Sequence, residues 1–218
     1  MSSATAGRFI TFEGGEGVGK STQMRLLTAA LTAEGHDVTV TREPGGTPGA
    51  EAVRHVVLGG AAKRFGVEIE AALFAAARRD NVEQLIRPAL ASGHVVLCDR
   101  YMDSSRVYQG AVGGVETWLM DAFENAVTEG ARPHLTFVFD LPAERALARM
   151  RARQGTGDDD RYESEGLDAH RRRRDAFLAI ARAEPNRCVV IDADRDRDAI
   201  AHDVVAAARR VLPAPAAV

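Results

Sequence analysis

Residues Gly14 to Ser21 carry the clearest chemical signal in the chain. Their sequence, Gly-Gly-Glu-Gly-Val-Gly-Lys-Ser, matches the pattern G-x4-G-K-[ST]. Glycines let the backbone turn its N–H groups towards a phosphate, and Lys20 adds a positive charge for the β- and γ-phosphates. The Ser21 hydroxyl is a ligand type that Mg²⁺ accepts. The segment therefore predicts a loop that binds the phosphates of a nucleotide.

Charged side chains follow two further apolar runs. Arg42 comes directly after Val38–Thr41, and Asp99 and Arg100 come directly after Val95–Cys98. Ligands of open α/β sheets bind at the carboxyl ends of the strands. There an aspartate can hold Mg²⁺ directly or through water, while arginine forks can grip or bridge phosphates. These residues predict phosphoryl transfer at one edge of a sheet.

Alternating strands and helices would position these groups. Short, nearly continuous apolar runs predict five buried strands, which implies a parallel sheet. Amphipathic segments between them predict helices at about 20–34, 49–60, 68–92, 115–130, 142–153, 164–183 and 196–211. The alternation predicts an α/β fold with helices on both faces of the sheet. We expect one domain over 1–218, with a tail at 213–218.

Composition excludes several classes of protein. The 218 residues are 45% hydrophobic, which is enough for a sizeable core. With 28 Lys plus Arg against 31 Asp plus Glu, the net charge of −3 offers no global field for nucleic acid or an anionic membrane. No leader or membrane-spanning pattern is seen, so we expect a cytoplasmic protein. Cys98 and Cys188 lie in apolar runs and predict buried thiols.

The phosphate-binding loop alone leaves several enzyme classes open. A GTPase should carry an Asn-Lys-x-Asp element, which the sequence lacks, and a helicase ordinarily needs more chain. The basic run His170–Arg174 is interpreted as a solvated helix face rather than a binding surface. A compact kinase with a small acceptor remains the best interpretation.

Further segments then carry a resemblance to a family. In order along the chain they are Thr41–Thr47, Leu73-Phe74 with Arg78, Asp99-Arg100-Tyr101, Ser104-Ser105 and Tyr108-Gln109-Gly110. Together with the phosphate-binding loop they resemble the thymidylate kinase family from about Phe9 to Ile191. The resemblance implies a P-loop kinase fold with a short lid, the cofactors ATP and Mg²⁺, and the products ADP and dTDP from ATP and dTMP. It also implies a homodimer, with the segment 68–92 as a plausible interface helix.

The resemblance assigns residues to the acceptor, dTMP. Phe74 would stack on the pyrimidine, Arg78 would reach the base carbonyl and phosphates, and Tyr108 would favour a 2′-deoxy sugar. The full expected set is Glu16, Arg42, Glu43, Pro44, Arg54, Phe74, Arg78, Arg100, Ser104, Ser105, Tyr108, Gln109 and Tyr162. The chain departs from the family pattern at Arg106-Val107, where an apolar residue and Ala are common. A bulky Val107 beside Tyr108 puts sugar discrimination in question.

The donor, ATP, is expected to meet the phosphate-binding loop and an arginine-rich lid at about 150–163. Arg149 would stack on adenine and Asp192 would border it. The expected donor set is Gly14, Gly15, Glu16, Gly17, Val18, Gly19, Lys20, Ser21, Thr22, Arg149, Arg153 and Asp192. The expected catalytic groups are Lys20, Arg100, Arg161, Glu16 and Asp99, and the expected metal ligands are Ser21 and Asp99.

Two alternatives stay open on the sequence. The enzyme would phosphorylate another nucleoside monophosphate if Phe74, Ser104, Ser105 and Gln109 accept a different base. Alternatively, the chain would be a paralogue that binds nucleotide without turnover, although intact Lys20, Asp99, Arg100 and Arg161 argue against this.

Overall fold

A computed structural model describes residues 7–153 and 166–212. Its centre is a single sheet of five parallel strands in the order β2-β3-β1-β4-β5. The strands are Arg8–Glu13 (β1), Val38–Arg42 (β2), Val95–Asp99 (β3), Leu135–Asp140 (β4) and Cys188–Asp192 (β5). Each includes one of the apolar runs in the sequence, so the predicted parallel sheet is confirmed.

Helices connect the strands and cover the sheet. They are Lys20–Ala33 (α1), Pro48–Leu58 (α2), Val67–Asn81 (α3), Arg87–Ala91 (α4), Met102–Ser105 (α5), Thr117–Thr128 (α6), Ala143–Arg153 (α7), Leu167–Ala183 (α8) and Arg197–Arg209 (α9). A 3₁₀ turn spans Ala61–Phe65, and π-helical segments span Val82–Ile86 and Arg106–Val112. The segment from α3 to α4 is continuous, as predicted for 68–92.

Alternate residues of the central strand face opposite layers of helices. Ile10 and Phe12 of β1 belong to a core that includes residues of α1 and α9. Phe9, which precedes Ile10 and so points to the opposite face of the strand, belongs to a second core with Val82 and Ile86. Helices therefore cover both faces, as expected for a parallel sheet buried on both sides.

The helical segment over residues 102–112 was missed by the sequence analysis. Its first turn, Met-Asp-Ser-Ser, has no apolar period that would predict a helix. Tertiary contacts stabilise it instead, because Glu13 at the end of β1 accepts hydrogen bonds from the backbone N–H groups of Tyr101 (2.8 Å) and Ser104 (3.1 Å). These are the donors that a helix start leaves unsatisfied.

Among residues 7–153 and 166–212, no helix combines the length and the apolar character required to cross a membrane.

A buried ion pair ties this helical segment to the edge of the sheet. Asp103, fully buried at 0% exposure, accepts bonds from both terminal nitrogens of Arg187, at 2.7 and 2.8 Å. Arg106 also approaches Asp103, at 3.2 Å, and binds Glu124 and Glu184. Arg106, the first of the two residues that depart from the expected pattern, thus belongs to a charge network. Val107, the second, packs in the core with Val138 and Phe177.

We expect Arg187→Met to destabilise the fold, because it leaves the Asp103 carboxylate buried with one cation fewer. The expected loss in free energy of unfolding is about 3 kcal/mol. Urea unfolding measures it. The matched control is Arg197→Met, which removes an exposed pair with Asp198 and should cost only a small fraction of that loss, because water screens the pair. Equal losses in the two variants would contradict the prediction.

Candidate functional site

The phosphate-binding loop joins the end of β1 to the start of α1. Gly14 and Gly17 adopt positive φ angles of 131° and 73°, a region that residues with a Cβ rarely enter. A Cβ at Gly14 would lie 2.7 Å from the Phe139 carbonyl oxygen, and one at Gly17 would lie 2.7 Å from that of Ala146. The glycines are therefore required by close backbone packing as well as by conformation, and α1 directs its N-terminus at the loop.

Lys20 lies folded within this loop. Its Nζ donates to the carbonyl oxygens of Gly14 (3.1 Å) and Gly15 (2.6 Å). Burial lowers its pKa to about 8; the charge of Arg100 adds to the shift and Asp99 opposes it. Lys20 is therefore mostly charged at neutral pH.

Ser21 and Asp99 bring two oxygen ligands together across the sheet edge. The Ser21 hydroxyl donates to Asp99 Oδ2 at 2.7 Å. Asp99 ends β3 and pairs in register with Phe12 of β1 and Arg42 of β2. A hydroxyl beside a carboxylate is a set of hard oxygen donors that suits Mg²⁺, so the two predicted metal ligands do meet.

Arg100 follows in a strained backbone conformation. Its φ of 66° makes it the only non-glycine residue with positive φ in the described part of the chain, and such residues concentrate at functional sites. The guanidinium donates to the Gly14 carbonyl oxygen (3.3 Å), Ser104 Oγ (3.2 Å) and Glu16 Oε1 (3.2 Å). It thus lies between the phosphate-binding loop and the segment at Ser104.

Glu16 is surrounded by donors and cations. Its Oε1 accepts from the Tyr108 hydroxyl and from Arg100, and its Oε2 lies 3.4 Å from His170 Nδ1 and 3.6 Å from Arg173 Nη1. Burial alone would raise the pKa of Glu16, but the close approach of His170 and the charges of Arg100 and Arg173 hold this pKa well below its usual range. Glu16 is therefore a carboxylate at any physiological pH.

This contact corrects one interpretation of the sequence. The sequence predicts a solvated helix face for His170–Arg174, but His170 and Arg173 are only 5% and 2% exposed. Only Arg171 and Arg172 are exposed, and Arg174 donates to both oxygens of Asp140, at 2.5 and 3.0 Å. Arg173 and Arg174 face carboxylates that are distant in sequence, Glu16 and Asp140, and the local pattern does not reveal such partners.

Arg78 is a buried cation on the side of the cleft that is predicted to bind the acceptor. It is 3% exposed, donates to Glu43 Oε2 at 2.7 Å, and donates to the Tyr101 carbonyl oxygen (3.1 Å) and Ser105 Oγ (3.0 Å). Phe74, one turn earlier on α3, is half-buried and lines the same cleft. The predicted pairing of a ring and a guanidinium on one helical face is therefore present.

The other residues predicted to bind the acceptor differ in their exposure. Arg42 is exposed and pairs with Glu51 at 3.0 Å. Arg54 donates to the Pro44 carbonyl oxygen at 2.8 Å. Gln109 is buried and its amide donates to Glu70 Oε1 at 2.9 Å.

One cleft of about 350 Å³ gathers most of the predicted residues. Those that line it are Glu16, Gly17, Gly19, Lys20, Ser21, Thr22, Arg42, Glu43, Pro44, Arg54, Phe74, Arg78, Asp99, Arg100, Ser104, Ser105, Tyr108 and Gln109. Val18 does not, because its side chain is buried in the core. Gly14 and Gly15 contribute the backbone oxygens that Lys20 contacts. The volume is typical of a small-molecule site.

Two further residues predicted to bind the donor, Arg149 and Asp192, lie beyond this cleft. Arg149 of α7 donates to the Ala193 carbonyl oxygen at 3.2 Å, next to the exposed Asp192 at the end of β5. Arg153 ends α7. Arg161 and Tyr162, and with them most of the predicted lid, lie outside the described residues.

Two groups of functional residues were missed by the sequence analysis. Tyr101 and Leu58 line the cleft, while Glu13, His170 and Arg173 hold the residues that do so. Glu13 was detectable in principle, since an acid that ends an apolar strand next to a glycine loop needs a buried partner. No local signal indicates His170 or Arg173.

The family model described as thymidylate kinase matches residues 12–204. The chain belongs to the thymidylate kinase family. Among its family relatives, the thymidylate kinase of Nitrobacter winogradskyi is 53% identical over 212 residues, covering 97% of this chain and 92% of that protein. That of Caulobacter vibrioides is 56% identical over 196 residues, covering 90% and 93%.

A solved structure of the family supports the fold. The crystal structure of thymidylate kinase from Ehrlichia chaffeensis matches with a TM-score of 0.75 and 31% identity, covering 94% of this chain and 99% of that one. Together with the all-parallel sheet, the match confirms the predicted P-loop kinase fold.

We expect Glu13→Gln to change how stability depends on pH. Burial and the nearby Asp103 charge raise the pKa of Glu13 to about 7, although the bond from Ser104 opposes the shift. Between about pH 4.5 and 7 the folded protein keeps a proton that the unfolded chain loses, so stability should fall as pH rises. Glutamine does not ionise, so the variant should lack this part of the decline.

Urea unfolding of both proteins at intervals from pH 4.5 to 8 measures this difference, because other titrating groups contribute equally to the two curves. Parallel curves for the wild type and Glu13→Gln would show that Glu13 does not titrate in this range.

Proposed function

We propose that this protein transfers the γ-phosphate of ATP to dTMP, giving ADP and dTDP. A phosphate oxygen of dTMP forms a bond to the γ-phosphorus, and the bond from that phosphorus to the oxygen shared with the β-phosphate breaks. The observation that carries the proposal is that a phosphate-binding loop and an aromatic, arginine-bearing pocket share one cleft. Membership of the thymidylate kinase family supports dTMP as the acceptor.

The donor phosphates would bind in the loop between β1 and α1. Lys20 would exchange the carbonyl oxygens of Gly14 and Gly15 for phosphate oxygens. Ser21 and Asp99 would hold Mg²⁺, which when bound neutralises charge on the phosphates. Backbone N–H groups of the glycine loop would add further donors.

Arg100 would act where the two nucleotides meet. It lies against the loop at Gly14 and against Ser104 on the acceptor side. Phosphoryl transfer depends on positioning and on cations near the transferring group, so a guanidinium shared by both sides would stabilise the transition state. Arg161 of the lid is proposed as a second cation.

The acceptor would occupy the pocket between α3 and the helical segment at 102–112. Phe74 would stack on the pyrimidine, and Arg78 would approach the base carbonyl and the phosphates. Ser104, Ser105 and Gln109 would meet the edge of the base. Val107 does not line the cleft and packs in the core, which supports a sugar pocket that includes Tyr108 and Glu16 and is not narrowed by Val107.

We also propose a homodimer that works in the cytoplasm, with no nucleic-acid or membrane partner. Trp118 on α6 is 68% exposed and Ile69 on α3 is 48% exposed, although both are large and apolar. The helices that carry them contact each other, so a second copy that covers this face would bury both side chains. The described parts of the chain share one sheet, which supports one domain over 1–218.

A substrate panel tests the function. We expect dTMP to have the highest kcat/KM in an assay of ADP release that also includes dUMP, dCMP, dGMP and AMP. A thymine-sized pocket beside Phe74 should favour dTMP over dUMP by about tenfold, the value of one buried methyl group. A higher value for another monophosphate would favour the alternative of a different nucleotide kinase.

Lys20→Ala should separate an enzyme from a binding protein. We expect kcat to fall on the order of 10²-fold or more, because the variant lacks a cation at the transferring phosphates. Lys63→Ala is the matched control, since Lys63 is exposed and does not line the cleft. If the wild-type protein binds ATP and dTMP but releases no ADP, the chain is a non-catalytic paralogue.

A further inference from the structure

Two buried side chains of α8 contact Glu16 without reaching the cleft. His170 Nδ1 lies 3.4 Å and Arg173 Nη1 lies 3.6 Å from Glu16 Oε2. Neither residue lines the cleft, whereas Glu16 does. The other oxygen of the same carboxylate accepts from Tyr108 and Arg100. One oxygen of Glu16 is thus engaged by cleft residues and the other by α8.

Arg173 also contacts Tyr108, the residue whose hydroxyl donates to Glu16. Its guanidinium carbon lies 4.7 Å from the centre of the Tyr108 ring, and that of Arg100 lies 5.1 Å from the same centre. Both distances are within the range of a cation–π contact. Phe177, also on α8, packs its ring against that of Tyr108 at 6.2 Å. Arg173 therefore touches both Glu16 and Tyr108, which hydrogen-bond to each other.

These contacts would restrict a mobile side chain. A glutamate has several rotatable bonds, so a Glu16 held only by Tyr108 and Arg100 would swing with them when nucleotides bind. A buried guanidinium on α8, 3.6 Å from Oε2, attracts the carboxylate and limits this motion. Precise placement of groups near a substrate is worth large factors in rate and selectivity.

We propose that Arg173, assisted by His170, is a positioning residue that fixes the Glu16–Tyr108 pair and thereby sets discrimination between 2′-deoxy and ribose acceptors. The inference rests on the proposed function, in which this pair forms the sugar pocket. Arg173 does not line the cleft, and the sequence predicts only a solvated helix face at its position.

The test compares two sugars in one assay. Arg173→Met keeps an apolar stem but removes the charge, and kcat and KM are measured for dTMP and for its ribose counterpart, 5-methyluridine 5′-monophosphate. We expect kcat/KM for dTMP to fall about tenfold, mainly through KM, and the ratio of the two kcat/KM values to fall about fivefold. Arg172→Met, an exposed neighbour on the same helix, should leave both within about twofold.

A purely structural role for Arg173 predicts a different result. Loss of folded protein would lower activity with both sugars by the same factor and leave their ratio unchanged, which would overturn the proposal. Arg173→Lys, which keeps the charge but not the planar stack on Tyr108, should recover part of the ratio. If Arg173→Met does not fold, His170→Leu tests the same carboxylate oxygen, and an unchanged ratio there would overturn the proposal as well.

A double-mutant cycle tests whether Arg173 acts through Glu16. Once Glu16→Gln has been introduced, adding Arg173→Met should change the sugar ratio by less than about twofold. Independent, multiplicative effects of the two substitutions would contradict positioning through Glu16. Failure of the proposed function would be recognised separately. In that case the wild-type protein itself would not phosphorylate dTMP, whatever the variants do.

Discussion

The carboxylate of Glu13 joins the two loops on which the cleft depends. It is inaccessible to solvent and accepts hydrogen bonds from the backbone of Tyr101 and from both the backbone and the hydroxyl of Ser104. A buried acid needs such donors, because leaving it unpaired is costly. The chain after β3 is thereby held against the end of β1. Asp99 then lies beside Ser21, and Arg100 lies between the two sides of the cleft.

Buried pairing explains how a slightly acidic chain concentrates cations in one place. Arg78 is paired with Glu43, and Arg100 with Glu16. Each acid offsets part of the cost of burying its arginine and also fixes the direction of the guanidinium. The net charge of −3 therefore describes the whole chain and not the cleft. A phosphate that enters would meet guanidinium groups whose orientation is already set.

Sequence reasoning succeeded where the relevant contacts are local. The phosphate-binding loop, the strands and the positions of Arg42, Asp99 and Arg100 at strand ends follow from neighbours in the chain, because glycine conformation and strand periodicity are local properties. Parallel strands then bring their carboxyl ends to one edge of the sheet. The helical start at Met102 was missed, since its stabilising carboxylates, Glu13 and Asp103, act through tertiary contacts.

By itself, the sequence determined the nucleotide loop, the parallel sheet and the list of charged residues at its edge. Only the tertiary structure decided which charges pair. Arg171 and Arg173 are two positions apart, yet one is exposed and the other is buried against Glu16 and Tyr108. The physical reason is that the free energy of a charged side chain depends on the dielectric and the partners around it. The partners of Arg173 come from the phosphate-binding loop and from the helical segment over residues 102–112, which meet α8 only in the folded chain.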